Sequence, residues 1–177
     1  MDISNEVAEP RFRAASVDDL VAIAELESHE FMALAYPYFA LRQLFDIHGS
    51  HWVVADLAGS LCGYAMVAIG RHSAWLLGLA VSSGHQGRGL GRSLLERAMA
   101  HCRSSEVDAV FITVRPSNVP ASNLYKDSGF TWANHEDQYF GIGEPRDLLV
   151  HRLVYDWTTA DPTDRRWFKD RGPVDDR

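Results

Sequence analysis

A glycine-rich turn is the segment of this 177-residue chain whose residue types and spacing point most directly to chemistry. The turn lies at residues 85–94, after an apolar, strand-like run at 75–81 and before a helical pattern at 90–102. Glycines let the backbone approach a ligand closely, and the first N–H groups of a helix point toward negative charge. Arg88 and Arg92 add cationic side chains that suit phosphate. The segment therefore predicts a binding site for a diphosphate.

Three known phosphate-binding patterns compete for this turn. The P-loop requires Gly-Lys-Ser/Thr, but Gly89 is followed by Leu90, which excludes it. A dinucleotide fingerprint would need glycine where the chain has Arg92, and its ribose-binding acid should end the next strand, whereas Asp108 begins it. The third pattern, Gln/Arg-x-x-Gly-x-Gly/Ala, is matched in full by residues 86–91.

A second segment, residues 114–130, has the pattern of a capped helix that carries one tyrosine. Asn118 is a suitable N-cap, and Pro120 lies in the first turn, where its missing N–H costs little. Gly129 is placed to close the helix in a left-handed conformation. Tyr125 belongs to the Leu-Tyr-x-x-x-Gly-Phe ending of the segment. In isolation, such a tyrosine more often packs in a core than acts as a catalyst.

In their order and spacing, the two segments resemble the motifs of the GNAT superfamily of acetyl-CoA-dependent N-acetyltransferases, nearest to the ribosomal-protein alanine N-acetyltransferases. The resemblance covers residues 11–157. It implies a single-domain α/β (α+β) fold with a mixed, mostly antiparallel sheet flanked by helices, whose fourth and fifth strands splay apart around acetyl-CoA. A glycine in strand four, Gly78, fits a bulge there. The cofactor-binding residues that the resemblance implies are Leu79, Ala80, Val81, Gln86, Gly87, Arg88, Gly89, Leu90, Gly91, Arg92 and Asn118.

The resemblance assigns the general acid to Tyr125 and the oxyanion donors to backbone N–H groups near Leu79. The subgroup's base, a glutamate on strand five, is Thr113 here, and threonine cannot serve as a base at neutral pH. Without a dedicated base, an α-amine is a better acceptor than lysine, because about a tenth of it is neutral at pH 7. The side chains left as base candidates are Glu30, His72, His135, Glu136 and Asp137.

Composition narrows the classes of protein. A hydrophobic fraction of 46% and a charged fraction of 23% are typical of a globular domain. The net charge of −7 argues against nucleic-acid or anionic-membrane surfaces. No apolar run is long enough to span a membrane, and residues 1–10 do not resemble a signal peptide, so we expect a cytoplasmic protein. Cys62 and Cys102 are expected to be buried hydrophobes, and the spacing of His48 and His51 does not fit a metal site.

The patterning predicts a flexible N-terminus at 1–10, an N-acetyltransferase domain at 11–157 and a polar tail at 158–177. The predicted strands cover 11–15, 52–57, 61–69, 75–81, 107–114, 130–134 and 148–157, and the predicted helices cover 17–31, 36–47, 90–102 and 118–128. Strand four, apolar throughout, is expected to be buried on both faces.

Two functions from different classes stay open. The first is acetyl transfer from acetyl-CoA to a primary amine, either a peptide or protein α-amine or a small metabolite. The second is a non-catalytic, acyl-CoA-binding regulatory module; either would be a monomer or a homodimer without a metal. An open groove at the acceptor mouth would favour peptides, and a closed pocket would favour metabolites. The acceptor should be selected by the first two helices and the 134–146 connection, where Tyr139, Phe140 and Gly141 are expected to line the mouth. Core packing explains most of the aromatic residues of these segments, which are Phe31, Tyr36, Tyr38, Phe39, Tyr139 and Phe140.

Overall fold

The computed structural model describes residues 9–153. Its helices and strands follow the predicted order. They are β1 (Arg11–Ala14), α1 (Leu20–Phe31), α2 (Tyr38–His48), β2 (Val53–Leu57), β3 (Ser60–Ile69), β4 (Ser73–Val81), α3 (Leu90–Ser104), β5 (Ala109–Val114), α4 (Val119–Asp127), β6 (Thr131–Glu136) and β7 (Arg146–Arg152). The predicted tail at 158–177, most of the predicted flexible N-terminus and the last residues of predicted strand seven lie outside the described residues.

The strands form one mixed sheet in the order β1-β2-β3-β4-β5-β7-β6. All neighbours are antiparallel except β4 and β5, which pair in parallel over Ser73–Trp75 and Ala109–Phe111. Beyond those residues, β4 continues to Val81 and β5 to Val114 without pairing with each other. The predicted splay between strands four and five is thereby confirmed.

A β-bulge in β4 lies where the splay begins. Met66 of β3 pairs with Gly78, but the next residue, Val67, pairs with Leu76, so Leu77 is the extra residue. A bulge turns two successive positions toward one face, and here that face is the one covered by α1 and α2. A Cβ at Gly78 would stand 2.6 Å from the buried Met66 Cε, so a side chain there would require the end of the Met66 side chain to move.

Helices cover both faces of the sheet. On the side of α3 and α4, the predicted apolar stripe of α3 is buried in the larger core, together with Tyr125 and Phe130. On the side of α1 and α2, a second core surrounds Trp52 and Tyr64. The expectation that β4 is buried on both faces is wrong, and beyond Trp75 the splay leaves the strand without a β5 neighbour. The half-buried residues of the predicted strand are Trp75, Leu77, Gly78 and Leu79.

The first predicted helix starts with a tighter turn than its pattern suggested. Residues Val17–Asp19 form a 3₁₀ turn, and α1 begins at Leu20. The Asp19 carboxylate accepts the Ser16 N–H at 2.7 Å and both terminal nitrogens of Arg13 at 2.7 Å. These bonds join β1 to the start of α1.

Three further observations concern the part of the chain that the structure describes. None of its helices combines the length and the apolar character that crossing a membrane requires. Within residues 9–153, no group of three or more His, Cys, Asp or Glu side chains is arranged to hold a metal ion. Cys62 and Cys102 are both buried and unbridged.

Candidate active site

A cleft of about 350 Å³ opens where β4 and β5 separate. Its walls are the end of β4, the glycine-rich turn, the first turns of α3 and α4, and the end of α1. Tyr125 lies in its lining. The predicted cofactor-binding residues that line it are Leu79, Ala80, Val81, Gln86, Gly87, Gly89, Leu90, Gly91 and Asn118.

Two predicted cofactor-binding residues do not line the cleft. Arg88 is exposed, and Arg92 points to Asp127, with 3.4 Å between its Nη2 and the carboxylate Oδ2. Motif spacing places their backbones in the turn, but it does not fix the directions of long side chains. The lining residues to which the sequence gave no cofactor role are Glu30, Phe31, His85, Pro120, Ala121 and Leu124.

The backbone of the glycine-rich turn adopts conformations that favour glycine. Gly87 has φ 74° and Gly89 has φ 81°, and L side chains rarely adopt such angles. Gly89 is the N-cap of α3, so the unpaired N–H groups of the first helical turn lie at the cleft. No described atom stands within 4 Å of a Cβ built at either glycine. This open turn fits an anionic diphosphate, which is the group that the resemblance implies.

Gln86 joins the turn to the neighbouring elements. Its Nε2 donates to the Val81 carbonyl oxygen at 2.9 Å and to Glu30 Oε2 at 3.3 Å. The Gln86 side chain therefore bonds to the last residue of β4 and connects that strand to the last turn of α1.

Tyr125 is held in the cleft wall by α4. The Asn118 side-chain oxygen accepts the Ala121 N–H at 3.2 Å, which confirms the predicted N-cap. The Tyr125 ring is only 5% exposed and meets Phe130 edge-on, with 5.9 Å between ring centroids. Burial raises the pKa of the phenol, so it keeps its proton at neutral pH. Its hydroxyl makes no hydrogen bond to the described residues and can serve a group in the cleft.

The structure separates the base candidates. Thr113 is half-buried in β5 and has no titratable group. Glu30 is half-buried and lines the same cleft as Tyr125. The candidates that do not line the cleft are His72, His135, Glu136 and Asp137.

Carboxylates neighbour both excluded histidines. His72 Nδ1 lies 3.6 Å from Asp108 Oδ2, beside the paired ends of β4 and β5. His135 lies between Asp147, at 2.7 Å, and Asp137, at 3.1 Å. The hydrogen bond to Asp147, followed by the one to Asp137, raises the pKa of His135 and favours its protonated form, which cannot accept a proton.

Two loops meet beside the splay. The α1–α2 loop comprises residues 32–37, and the β6–β7 loop comprises residues 137–145. Burial, followed by the charge of Glu27 and then by Tyr139, raises the pKa of Tyr36, so the phenols of Tyr36 and Tyr139 lie close enough to interact. Arg115, which directly follows β5, forms an ion pair with Glu144 and ties the β6–β7 loop to the open end of that strand.

Both loops border apolar side chains that remain in solvent. Met32 is 78% exposed, and Phe39, in the first turn of α2, is 68% exposed. On the other side, Ile142 is 91% exposed, and Phe140 packs against Tyr139 with 4.9 Å between ring centroids. These exposed apolar side chains are available to contact a bound molecule.

Comparisons with known proteins agree with this architecture. A profile of the Acetyltransferase (GNAT) family matches residues 19–130. The putative [ribosomal protein bS18]-alanine N-acetyltransferase of Bacillus subtilis (strain 168) is 25% identical over 128 residues, which cover 72% of this chain and 85% of that protein. An N-alpha-acetyltransferase of Sulfurisphaera tokodaii is 29% identical over 154 residues, which cover 80% of this chain and 90% of that protein.

The fold is also shared with a chain of a crystal structure of the NatC complex bound to Gag peptide and CoA. The TM-score is 0.77 at 18% identity, over 82% of this chain and 99% of that chain. The family match covers more than half of this chain and includes both of the motifs that the sequence singled out. The chain therefore belongs to the acetyltransferase (GNAT) family.

Proposed function

We propose that this protein transfers the acetyl group of acetyl-CoA to the α-amine of a polypeptide N-terminus. The observation that carries the proposal is the cleft, whose lining brings together the glycine-rich turn, the splayed end of β4 and Tyr125. Relatives named for N-alpha- and alanine N-acetyltransferase activity support it. The cytoplasmic location expected from the sequence belongs to the same proposal, as does the absence of a metal.

In this proposal the splay binds acetyl-CoA. The backbone N–H groups of residues 87–92 hold the pyrophosphate at the N-terminus of α3. Leu79–Val81, which have no β5 partner on that side, bind the pantetheine amides through their backbone, and Asn118 contacts the same arm. Acetyl-CoA supplies a thioester, with an electrophilic carbonyl carbon and a thiolate leaving group.

Tyr125 acts as the general acid. As the amine nitrogen bonds to the acetyl carbon and the C–S bond breaks, its hydroxyl gives a proton to the departing sulfur. Its buried, protonated phenol supports this role. Backbone N–H groups near Leu79 stabilise the negative charge that develops on the acetyl oxygen.

Glu30 accepts the proton that the amine loses, directly or through a water molecule. Two observations support this assignment: Glu30 shares the cleft with Tyr125, and Thr113 cannot take the subgroup's basic role. An α-amine needs less assistance than a lysine, because a much larger fraction of it is neutral at pH 7.

A polypeptide acceptor is favoured by the surface beside the splay. Pockets for small molecules enclose most of the ligand, whereas Met32 and Ile142 remain largely exposed on the two loops. Such apolar side chains can contact the residues that follow a terminal amine, and a free amino acid or small amine has no such residues.

The proposal is tested by incubating the protein and acetyl-CoA with three sets of acceptors while CoA thiol release is measured. The sets are peptides with a free N-terminus, the same peptides with a blocked N-terminus and an internal lysine, and small amines. We expect release only with free N-termini, and one acetyl group on the first residue by mass spectrometry. Release of CoA thiol only with small amines would show that the acceptor is a small amine and not a polypeptide. Binding of acetyl-CoA without thiol release from any acceptor would favour the regulatory module.

A further inference from the structure

A buried carboxylate lies just outside the cleft. Glu27 lies in the third turn of α1, on the face toward the sheet, and is 1% exposed. Its Oε1 accepts the Tyr64 hydroxyl of β3, and its Oε2 accepts the backbone N–H of Tyr36 at 2.9 Å. Burial raises the pKa of Glu27, which reflects the cost of placing a carboxylate in an apolar core. The proposed chemical steps do not use this group.

The position of Glu27 connects three parts of the site. Its Oε1 lies 3.4 Å from the point where a Cβ at Gly78 would stand, so the carboxylate packs on the bulge of β4. Glu30 and Phe31, three and four residues later, lie on the same side of α1 and line the cleft. Tyr36, whose backbone N–H bonds to Glu27, is the next-to-last residue of the α1–α2 loop.

The other end of the α1–α2 loop is strained. Met32 has φ 49° and ψ −115°, a conformation that favours glycine. Strained residues persist where the surrounding structure fixes them, and they are frequent near functional sites. The bond from Tyr36 to Glu27 fixes the loop at the end opposite Met32.

We propose that Glu27 is a positioning residue for the acceptor. By accepting the Tyr36 N–H and the Tyr64 hydroxyl, it holds the α1–α2 loop against the bulge of β4. This contact sets the distance between the α1–α2 loop, whose exposed Met32 is proposed to contact the polypeptide, and β4, beside which the thioester is proposed to bind. The inference rests on the proposed function, because only an acceptor bound at this loop would be affected.

Substitutions at Glu27 separate positioning from folding. Glu27→Leu removes both acceptors and should raise the peptide KM about tenfold, the consequence of losing a buried hydrogen bond, while the acetyl-CoA Kd changes little. Glu27→Gln should restore the KM, because its amide oxygen accepts the Tyr36 N–H and its amide nitrogen can donate to the Tyr64 oxygen. Glu25→Leu, an exposed change in the same helix, is the matched control and should alter neither quantity.

Hydrogen exchange at the Tyr36 amide gives a readout that needs no catalysis. We expect protection in the wild type and in Glu27→Gln, and faster exchange in Glu27→Leu. This result would hold even if no peptide were acetylated, so failure of the proposed function and failure of this inference are distinguishable.

Three results would overturn the proposal. The first is unchanged Tyr36 exchange in Glu27→Leu, and the second is an equal loss of acetyl-CoA and peptide affinity. The third is a Gln variant as defective as the Leu variant. If Glu27→Leu does not fold, the Tyr64→Phe variant tests the same role, since it keeps the ring and removes only the hydroxyl that donates to Glu27. It should raise the peptide KM without changing the acetyl-CoA Kd, and an unchanged KM would refute the role.

Discussion

Tyr125 and Glu30 share one cleft in different surroundings. The phenol is 5% exposed, and burial raises its pKa, so it stays protonated at neutral pH. Glu30 is half-buried at the solvent side, where it accepts a long hydrogen bond from Gln86 at 3.3 Å. Different surroundings for two titratable groups are a common way to divide acid and base roles.

For the Tyr125→Phe variant, we expect turnover to fall by about 10²–10⁴-fold with little change in acetyl-CoA affinity. The raised pKa also means that the wild type should not lose this acid until the pH exceeds about 10, the value for a free phenol. Because the hydroxyl bonds no described residue, the variant should unfold at nearly the wild-type temperature. A well-folded variant with wild-type turnover at saturating acetyl-CoA would remove Tyr125 from the mechanism.

Glu30→Gln should lower kcat/KM for a peptide by about 10²-fold at pH 7, since it removes the proton acceptor. The defect should shrink as the pH rises above about 8, where the α-amine is already neutral. Glu136→Gln, an exposed change on β6 outside the cleft, serves as the control. A Glu30→Gln defect that is absent, or independent of pH, would contradict the assignment.

At the scale of elements, the cleft is formed by the glycine-rich turn, the splayed end of β4 and the start of α4. The turn and the Asn118 cap are local features, so residues close in sequence predict them well. Glu27 could not be predicted in the same way, because its burial depends on Tyr64, 37 residues further along the chain. The sequence also does not fix the directions of the Arg88 and Arg92 side chains, since exposed side chains are not set by the backbone pattern.

The turn can be tested with a pair of matched glycines. Gly89 has φ 81° and Gly59, in the β2–β3 turn, has φ 85°, and both have open space where a Cβ would stand. An alanine at either position should therefore cost a similar free energy of unfolding, about 1–2 kcal/mol. Only Gly89→Ala should weaken acetyl-CoA binding measured by isothermal titration, because only Gly89 lines the cleft. Equal affinity in both variants would refute the diphosphate site.

The join between β1 and α1 predicts a dependence of stability on pH. Hydrogen bonding to Arg13 lowers the pKa of Asp19 in the folded protein. The resulting stabilisation is complete above the unfolded value of about 3.9 and is lost as the pH falls through the lower, folded value.

Asp19→Asn should reduce the free energy of unfolding at pH 7 by about 1.5–3 kcal/mol, the range for hydrogen bonds to charged groups. It should also flatten the acid limb of urea-unfolding measurements made from pH 7 down to pH 2. Asp18→Asn, its exposed neighbour, is the control. Parallel acid limbs in wild type and Asp19→Asn would show that this carboxylate does not contribute as described.

At the scale of the whole molecule, the splay opens a gap in the sheet that elements from both faces border. The cleft is lined by α3 and α4 from one face and by the end of α1 from the other, and the bulge turns Gly78 toward Glu27 of α1. The element order could be predicted from the patterning of the chain, whereas the splay was expected only because the two motifs resemble those of the family. The meeting of the two loops could not, because Tyr36 and Tyr139 are brought together only by the complete sheet.

The most direct measurement is a crystal structure of this protein with acetyl-CoA. We expect the pyrophosphate on the backbone N–H groups of residues 87–92, the pantetheine arm beside Leu79–Val81, and the thioester sulfur within hydrogen-bond reach of the Tyr125 hydroxyl. A cofactor bound outside the splay, or a sulfur beyond the reach of Tyr125, would contradict the proposed transfer.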